Sequence, residues 1–143
     1  MNYWLLAKRK KKMEYCIKTG IFGLNRKYIL GRVQPGDKVV CYATKENKII
    51  ATGEMTSEYY VDDTPVFIDK SLFGTDLFVD SVRFTAELIG KDHEVEFFQI
   101  IDQMSFVKSL ANWQVVFRSA ITQMNKNDWD VITKQIKFLP SSK

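Results

Sequence analysis

The chain's densest chemistry lies in its first quarter, where basic side chains crowd together. Lys8, Arg9, Lys10, Lys11, Lys12, Lys18, Arg26, Lys27 and Arg32 face Glu14 alone in residues 1–32, a net charge of +8, whereas the other 111 residues carry 12 basic and 16 acidic side chains. Segregated charge makes a local positive field that a mixed surface would cancel. Ammonium and guanidinium groups only donate hydrogen bonds, and at this density they suit a row of phosphates. Lys8, Arg9, Lys10, Lys11 and Lys12, with Arg26 and Lys27, are therefore read as phosphate contacts to a nucleic-acid backbone. The bland alternative is a solvated lysine loop that only aids solubility. Four more basic residues within the twenty positions after Lys12 argue against it.

A second chemistry is aromatic. Phe22 lies between Gly20 and Gly23, residues that let the backbone approach a ligand closely. Tyr59, Tyr60 and Phe67 fall in residues 57–77, a long stretch that reads as irregular and hence as a functional loop. A flat apolar slot with a polar rim is what an unstacked base requires, and stacking supplies ~1–3 kcal/mol per base. Phe22, Gly23, Tyr59, Tyr60 and Phe67 are thus the candidate base pocket. Arg118 is added because its planar fork fits a phosphate or a base edge, the other reading being a pair with a carboxylate.

Catalytic chemistry finds little purchase. A Ser-His-Asp or Cys-His system would have to use His93, the sole histidine, in the turn-like stretch Gly90–Glu94. There is no GxGxxG, P-loop or HExxH sequence. Asp62 and Asp63 are adjacent in a turn, where carboxylates cap loops more often than they hold metal. Cys16 and Cys41 are too few for a zinc site and read as small buried hydrophobes kept reduced. The expectation is a binding module, with no catalytic residues, metal or cofactor. No apolar run approaches the ~20 residues of a membrane span. The opening Met1–Lys8 puts apolar residues before charge, the reverse of a secretory signal, so a cytoplasmic monomer with no membrane partner is expected.

The elements that must position these residues follow from periodicity. Tyr3–Ala7 reads as a buried strand that leads into the basic loop. Met13, Cys16 and Ile17 recur at helical spacing and predict a short helix stopped by Gly20, followed by a tight apolar turn over 21–24. Gln34–Asp37 (QPGD) spells a type II turn. Strands are predicted over Lys38–Thr44 and Ile49–Thr56 about a turn at Lys45–Lys48, with Gly53 marking a bulge or close backbone approach. Leu77–Leu88 is a further strand with Phe78, Val82, Phe84 and Ala86 on one face, and Glu94–Ile101 another. Helical patterns appear over Ser105–Leu110 and Asn127–Lys137, the latter capped by Asn127, with Trp129, Ile132 and Ile136 as core; Trp4 is also assigned to the core. Strands outnumber helices, most connections suit antiparallel pairing, and no βαβ repeat is present, so residues 1–143 read as one α+β domain, a small mixed barrel with helices at its ends.

Five stretches, in order from residue 2 to about 135, resemble the EVE domain family, a PUA-like group related to YTH domains. They are Asn2–Leu6 (NYWLL), Gly20–Gly23 (GIFG), Val33–Tyr42 (VQPGDKVVCY), Gly53–Pro65 (GEMTSEYYVDDTP) and Trp113 with Phe117 and Arg118. The resemblance implies a PUA-like mixed β pseudo-barrel of about six strands with flanking helices. It also implies a pocket for a flipped, modified base, such as methylated or hydroxymethylated cytosine in DNA or a methylated base in RNA. Phe22 becomes one wall of that pocket, and the Tyr59–Phe67 loop the other wall or the rim. Two departures from the family pattern stand out. Phe22 takes the place of the usual tryptophan and offers a smaller stacking face. Lys8–Lys12 replace a polar loop, which shifts the balance toward phosphate contact. The alternative function is a PUA-like RNA-binding module acting on structured tRNA or rRNA without base capture.

Overall fold

The central strands of the sheet are buried on both faces, and their sequences show it. In β1 (Tyr3–Lys8), Trp4 and Leu6 enter one apolar cluster while Leu5 and Ala7 enter a second; in β3 (Lys38–Ala43), Val39, Cys41 and Ala43 join the first and Val40 and Tyr42 the second. Near-continuous apolar runs of this kind are expected where helices or loops cover both sides of a sheet. The computed structural model describes residues 1–24, 31–62, 79–90, 94–107 and 120–138. Within them the order is β1, α1 (Lys10–Thr19), β2 (Ile21–Leu24), β3, β4 (Lys48–Met55), β5 (Tyr60–Asp62), β6 (Val79–Leu88), β7 (Val95–Glu96), two 3₁₀ turns, β8 (Ile121–Met124) and α2 (Lys126–Phe138).

The main sheet runs β2-β6-β4-β3-β1-β8, with β5 paired to β6 and β7 to β4. The result, among the described residues, is a curled mixed sheet, a half-barrel with six strands on its main path, flanked by two helices. α1 covers one face through Met13 and Cys16, and α2 covers the other through Ile132 and Trp129. Every strand pair is antiparallel except β1 with β3, which run parallel from Tyr3↔Lys38 to Lys8↔Ala43. The antiparallel expectation missed that pair, because a parallel partner is reached through a crossover and leaves no turn signal between the two strands.

One buried carboxylate fixes that register. Asp37 is 2% exposed and accepts from the Asn2 backbone N–H, the Trp4 indole Nε1–H and the Gln34 N–H, each at 2.9 Å. The turn that presents it is the expected one: Asp37 N–H donates to the Gln34 carbonyl at 3.1 Å, and Gly36 has φ +93°. Gly53 is the expected close approach. A Cβ there would lie 1.8 Å from the Thr85 carbonyl oxygen, so β4 and β6 can pair this tightly only across a glycine.

Several local expectations change. Lys10, Lys11 and Lys12 are the first turn of α1 rather than loop, consistent with good helix formers and no breaker before Thr19. The expected turn at 21–24 is strand β2, paired with β6; only Gly20, in the left-handed conformation, turns the chain. Of the strand expected over Glu94–Ile101 only Val95–Glu96 forms, because Phe97, Ile100, Ile101 and Met104 bury at a 3–4 spacing suited to 3₁₀ turns. The last helix is capped by Asn125, not Asn127. The Asn125 Oδ1 accepts from Asp128 N–H at 2.8 Å and the Asp128 carboxylate accepts from Asn125 N–H at 3.1 Å, a reciprocal capping box. Ser105–Val107 is not helical and the rest of that expected helix lies outside the described residues, as does Phe78.

Asp37→Ala strands three N–H groups and is expected to cost about 2–4 kcal/mol in urea unfolding. Trp4→Phe removes one donor but keeps the ring, and should cost about 1–2 kcal/mol. A loss below about 1 kcal/mol for Asp37→Ala, on the same scale, would show that the clamp does not hold the sheet.

Candidate nucleic-acid interface

The parallel register of β1 and β3 brings their C-terminal ends to one edge, with Lys8 opposite Ala43. The segments that leave these ends are then neighbours. Arg9, Lys10, Lys11 and Glu14 of the β1–α1 junction line an open groove of about 320 Å³ with Lys45 and Glu46 of the β3–β4 turn. Lys45 was not among the expected contacts, since only the unforeseen parallel pairing brings that turn to the junction.

The helix start is charged against its own dipole. Arg9 is the N-cap and makes no side-chain cap hydrogen bond, and no acidic residue lies in the first turn. The N-terminus of a helix carries partial positive charge, so each lysine there costs a few tenths of a kcal/mol until an anion binds. Such an arrangement favours a phosphate in the groove.

Lys8 behaves differently from its neighbours. The two-residue period of β1 continues Trp4 and Leu6 to Lys8 on the face of the first apolar cluster. Its Nζ lies 4.9 Å from the centroid of the Phe22 ring, a cation–π contact. Burial holds the Lys8 ammonium below its ordinary pKa; Cys16 opposes the shift and the Lys12 charge adds to it. Burial also pushes the Cys16 thiol up to about 11, with Lys8 and Lys12 pulling the other way, and raises Cys41 further. Both cysteines are buried and free, as expected.

The aromatic residues divide between the two faces of the sheet. Phe22 is 0% exposed and belongs to the first cluster, against which half-buried Tyr59 packs. Gly23 and Tyr60 are both in register with Ser81, on opposite sides of β6. The pleat therefore sends Tyr60 to the face opposite Phe22, where the Arg83 guanidinium lies 5.5 Å from its ring centroid. The single slot expected from sequence resolves into Phe22 and Tyr59 on the inner side and Tyr60 with Arg83 on the outer. Neither Arg83 nor Lys45 carried a sequence signal, as each acts through a strand partner. Phe67, Arg118, Arg26 and Lys27 lie outside the described residues, as do Asp63, His93, Trp113 and Phe117. Among the described residues no group of three or more His, Cys, Asp or Glu side chains could hold a metal, and no helix is long and apolar enough to cross a membrane.

Comparison with known proteins agrees with this fold. The sequence profile of the EVE domain matches residues 2–135. The UPF0310 protein PH1033 of Pyrococcus horikoshii is 28% identical over 146 residues, covering 94% of this chain and 98% of that protein. Human THYN1, solved in complex with DNA containing 5-methylcytosine, superposes with a TM-score of 0.62 at 12% identity over 98% of this chain and 100% of its own. The Pho92 YTH domain, solved in complex with m6A, gives 0.66 at 9% identity over 96% and 87%.

With both thiols buried and protonated, the folded protein should leave Cys16 and Cys41 unmodified by a disulfide reagent at mildly alkaline pH, and expose both on unfolding. Rapid labelling of Cys16 in the folded state would show that the core packed around it opens.

Proposed function

The chain belongs to the EVE domain family, and from that premise we propose that it is a non-catalytic nucleic-acid-binding module that captures a flipped, modified base beside Phe22. Methylated or hydroxymethylated cytosine is the leading candidate for that base. Arg9, Lys10 and Lys11 hold the flanking phosphates, and Arg26 and Lys27 extend that contact. The observation that carries this reading is the placement of five consecutive basic residues, Lys8–Lys12, where β1 enters α1, the first of them with its ammonium over the buried Phe22 ring. The folds that this chain resembles include one solved with methylated DNA and one solved with m6A, which supports the same reading.

A second reading is favoured by one specific observation. Phe22 is fully buried beneath the Lys8 ammonium. If it stays so, the module binds structured RNA through phosphates alone, without base capture.

The test is fluorescence anisotropy with duplex and single-stranded probes, each with and without 5-methylcytosine, 5-hydroxymethylcytosine or N6-methyladenine. At least one modified probe is expected to bind clearly tighter than its unmodified twin. Binding should weaken with salt at a log–log slope of roughly −0.7 to −0.9 per phosphate contacted. Replacing Lys10 and Lys11 together by alanine should weaken all probes alike and reduce that slope by about two. Phe22→Leu, which keeps the core filled but removes the stacking face, should erase the preference and leave the slope unchanged. Equal affinity for every probe would defeat base capture in favour of the phosphate-only module.

A further inference from the structure

The turn over residues 44–47, which joins β3 to β4, is fastened at both ends. At its start Thr44 N–H donates to the Lys8 carbonyl at 3.0 Å, which ties the turn to the strand end where the basic run begins. At its close Asn47 N–H donates to the Ala43 carbonyl at 2.8 Å, and the Asn47 carbonyl accepts from Phe97 N–H at 3.0 Å. The Asn47 side chain adds a further tie, since its Oδ1 accepts from the Tyr42 hydroxyl at 2.9 Å. Tyr42 is 0% exposed and meets the Phe97 ring edge-on, with centroids 5.4 Å apart, so its hydroxyl is a fixed point. Burial raises the Tyr42 pKa, which keeps that hydroxyl a donor.

Asn47 has φ +56°, the one positive φ of a non-glycine residue among the described residues. Asparagine tolerates this region better than most side chains, but the conformation persists only where its surroundings hold it. What the hold fixes is direction. The turn presents Lys45 and Glu46, both exposed, to the groove that Arg9, Lys10, Lys11 and Glu14 line from the start of α1. Among the described residues Lys45 is in no ion pair, so neither glutamate of the groove occupies it. A lysine on a loose turn must be ordered by whatever it binds; a braced turn does part of that ordering beforehand.

We propose that Lys45 is a phosphate contact on the far bank of the groove, and that Asn47 and Tyr42 are its positioning residues. This inference rests on the reading of the groove as a site for a nucleic-acid backbone. It goes beyond that reading by adding a contact from a second element and the device that aims it. The backbone then lies between the start of α1 and the 44–47 turn, with positive charge on both sides.

The experiment is a salt titration of the full chain by fluorescence anisotropy with an unmodified single-stranded oligonucleotide. Lys45→Ala should lower the log–log slope by about 0.7, the share of one phosphate contact on a single strand, and Lys45→Arg should keep it. Asn47→Gly keeps the backbone conformation accessible but removes the acceptor, and Tyr42→Phe removes the donor. Each should weaken binding about two- to fivefold at fixed salt. Neither should weaken it further when Lys45 is already alanine, because the group they aim is gone. A slope unchanged by Lys45→Ala overturns the inference, and the groove reading stands if replacing Lys10 and Lys11 by alanine still cuts the slope. Losses from Asn47→Gly and Tyr42→Phe that persist in full beside Lys45→Ala would overturn the positioning role, since a brace that serves stability alone acts alike in both backgrounds. A slope untouched by either the Lys45 change or the Lys10 and Lys11 pair would overturn the inference and the groove reading together.

Discussion

Three N–H groups converge on the Asp37 carboxylate, from Asn2, the Trp4 indole and Gln34. A buried carboxylate with fewer partners would cost several kcal/mol, so these donors are what allow Asp37 to be 2% exposed. The clamp ties the start of β1 to the start of β3. Once Tyr3 is opposite Lys38, the pleat determines everything downstream: Trp4 and Leu6 face one cluster, Leu5 and Ala7 the other, and Lys8 ends opposite Ala43. A slip of one residue would turn the Trp4 row to the wrong face and carry Lys8 away from Phe22. The basic groove and the Lys8–Phe22 contact therefore both depend on a contact at the far end of the strand.

The site built on that register has two electrostatic characters. In the groove, Arg9, Lys10, Lys11 and Lys45 outnumber Glu14 and Glu46 about a helix N-terminus, an arrangement that an anion would stabilise. Lys8 is instead half-buried over the Phe22 ring, where its charge is poorly solvated. On the proposed reading the groove supplies affinity that salt weakens.

Much of this was legible in the sequence wherever the signal was local. The apolar runs in Lys38–Thr44 and Ile49–Thr56, the Pro35-Gly36 turn and the i, i+3, i+4 spacing of Met13, Cys16 and Ile17 each describe their own few residues, and each found its element. Phe22 and the Lys8–Lys12 run stood out by type alone. What was hidden was set by strand partners. Nothing near Lys45 announces a parallel β1–β3 pair, so its place in the groove could not be read. Tyr59 and Tyr60 are neighbours in sequence, yet the pairing of β5 with β6 sends Tyr60 to the face opposite Phe22. The 3–4 spacing of Phe97, Ile100, Ile101 and Met104 was visible but was outweighed by the β-forming composition around it.

The central claim is that nucleic acid enters at the edge where β1 and β3 end. A backbone-amide shift titration with a short single-stranded oligonucleotide tests it most directly. The largest perturbations are expected at Lys8–Lys12, Phe22–Gly23 and Thr44–Glu46, with α2 and β8 unmoved. Shifts concentrated on α2 and β8, or spread evenly over the surface with Phe22 and Gly23 silent, would contradict the account.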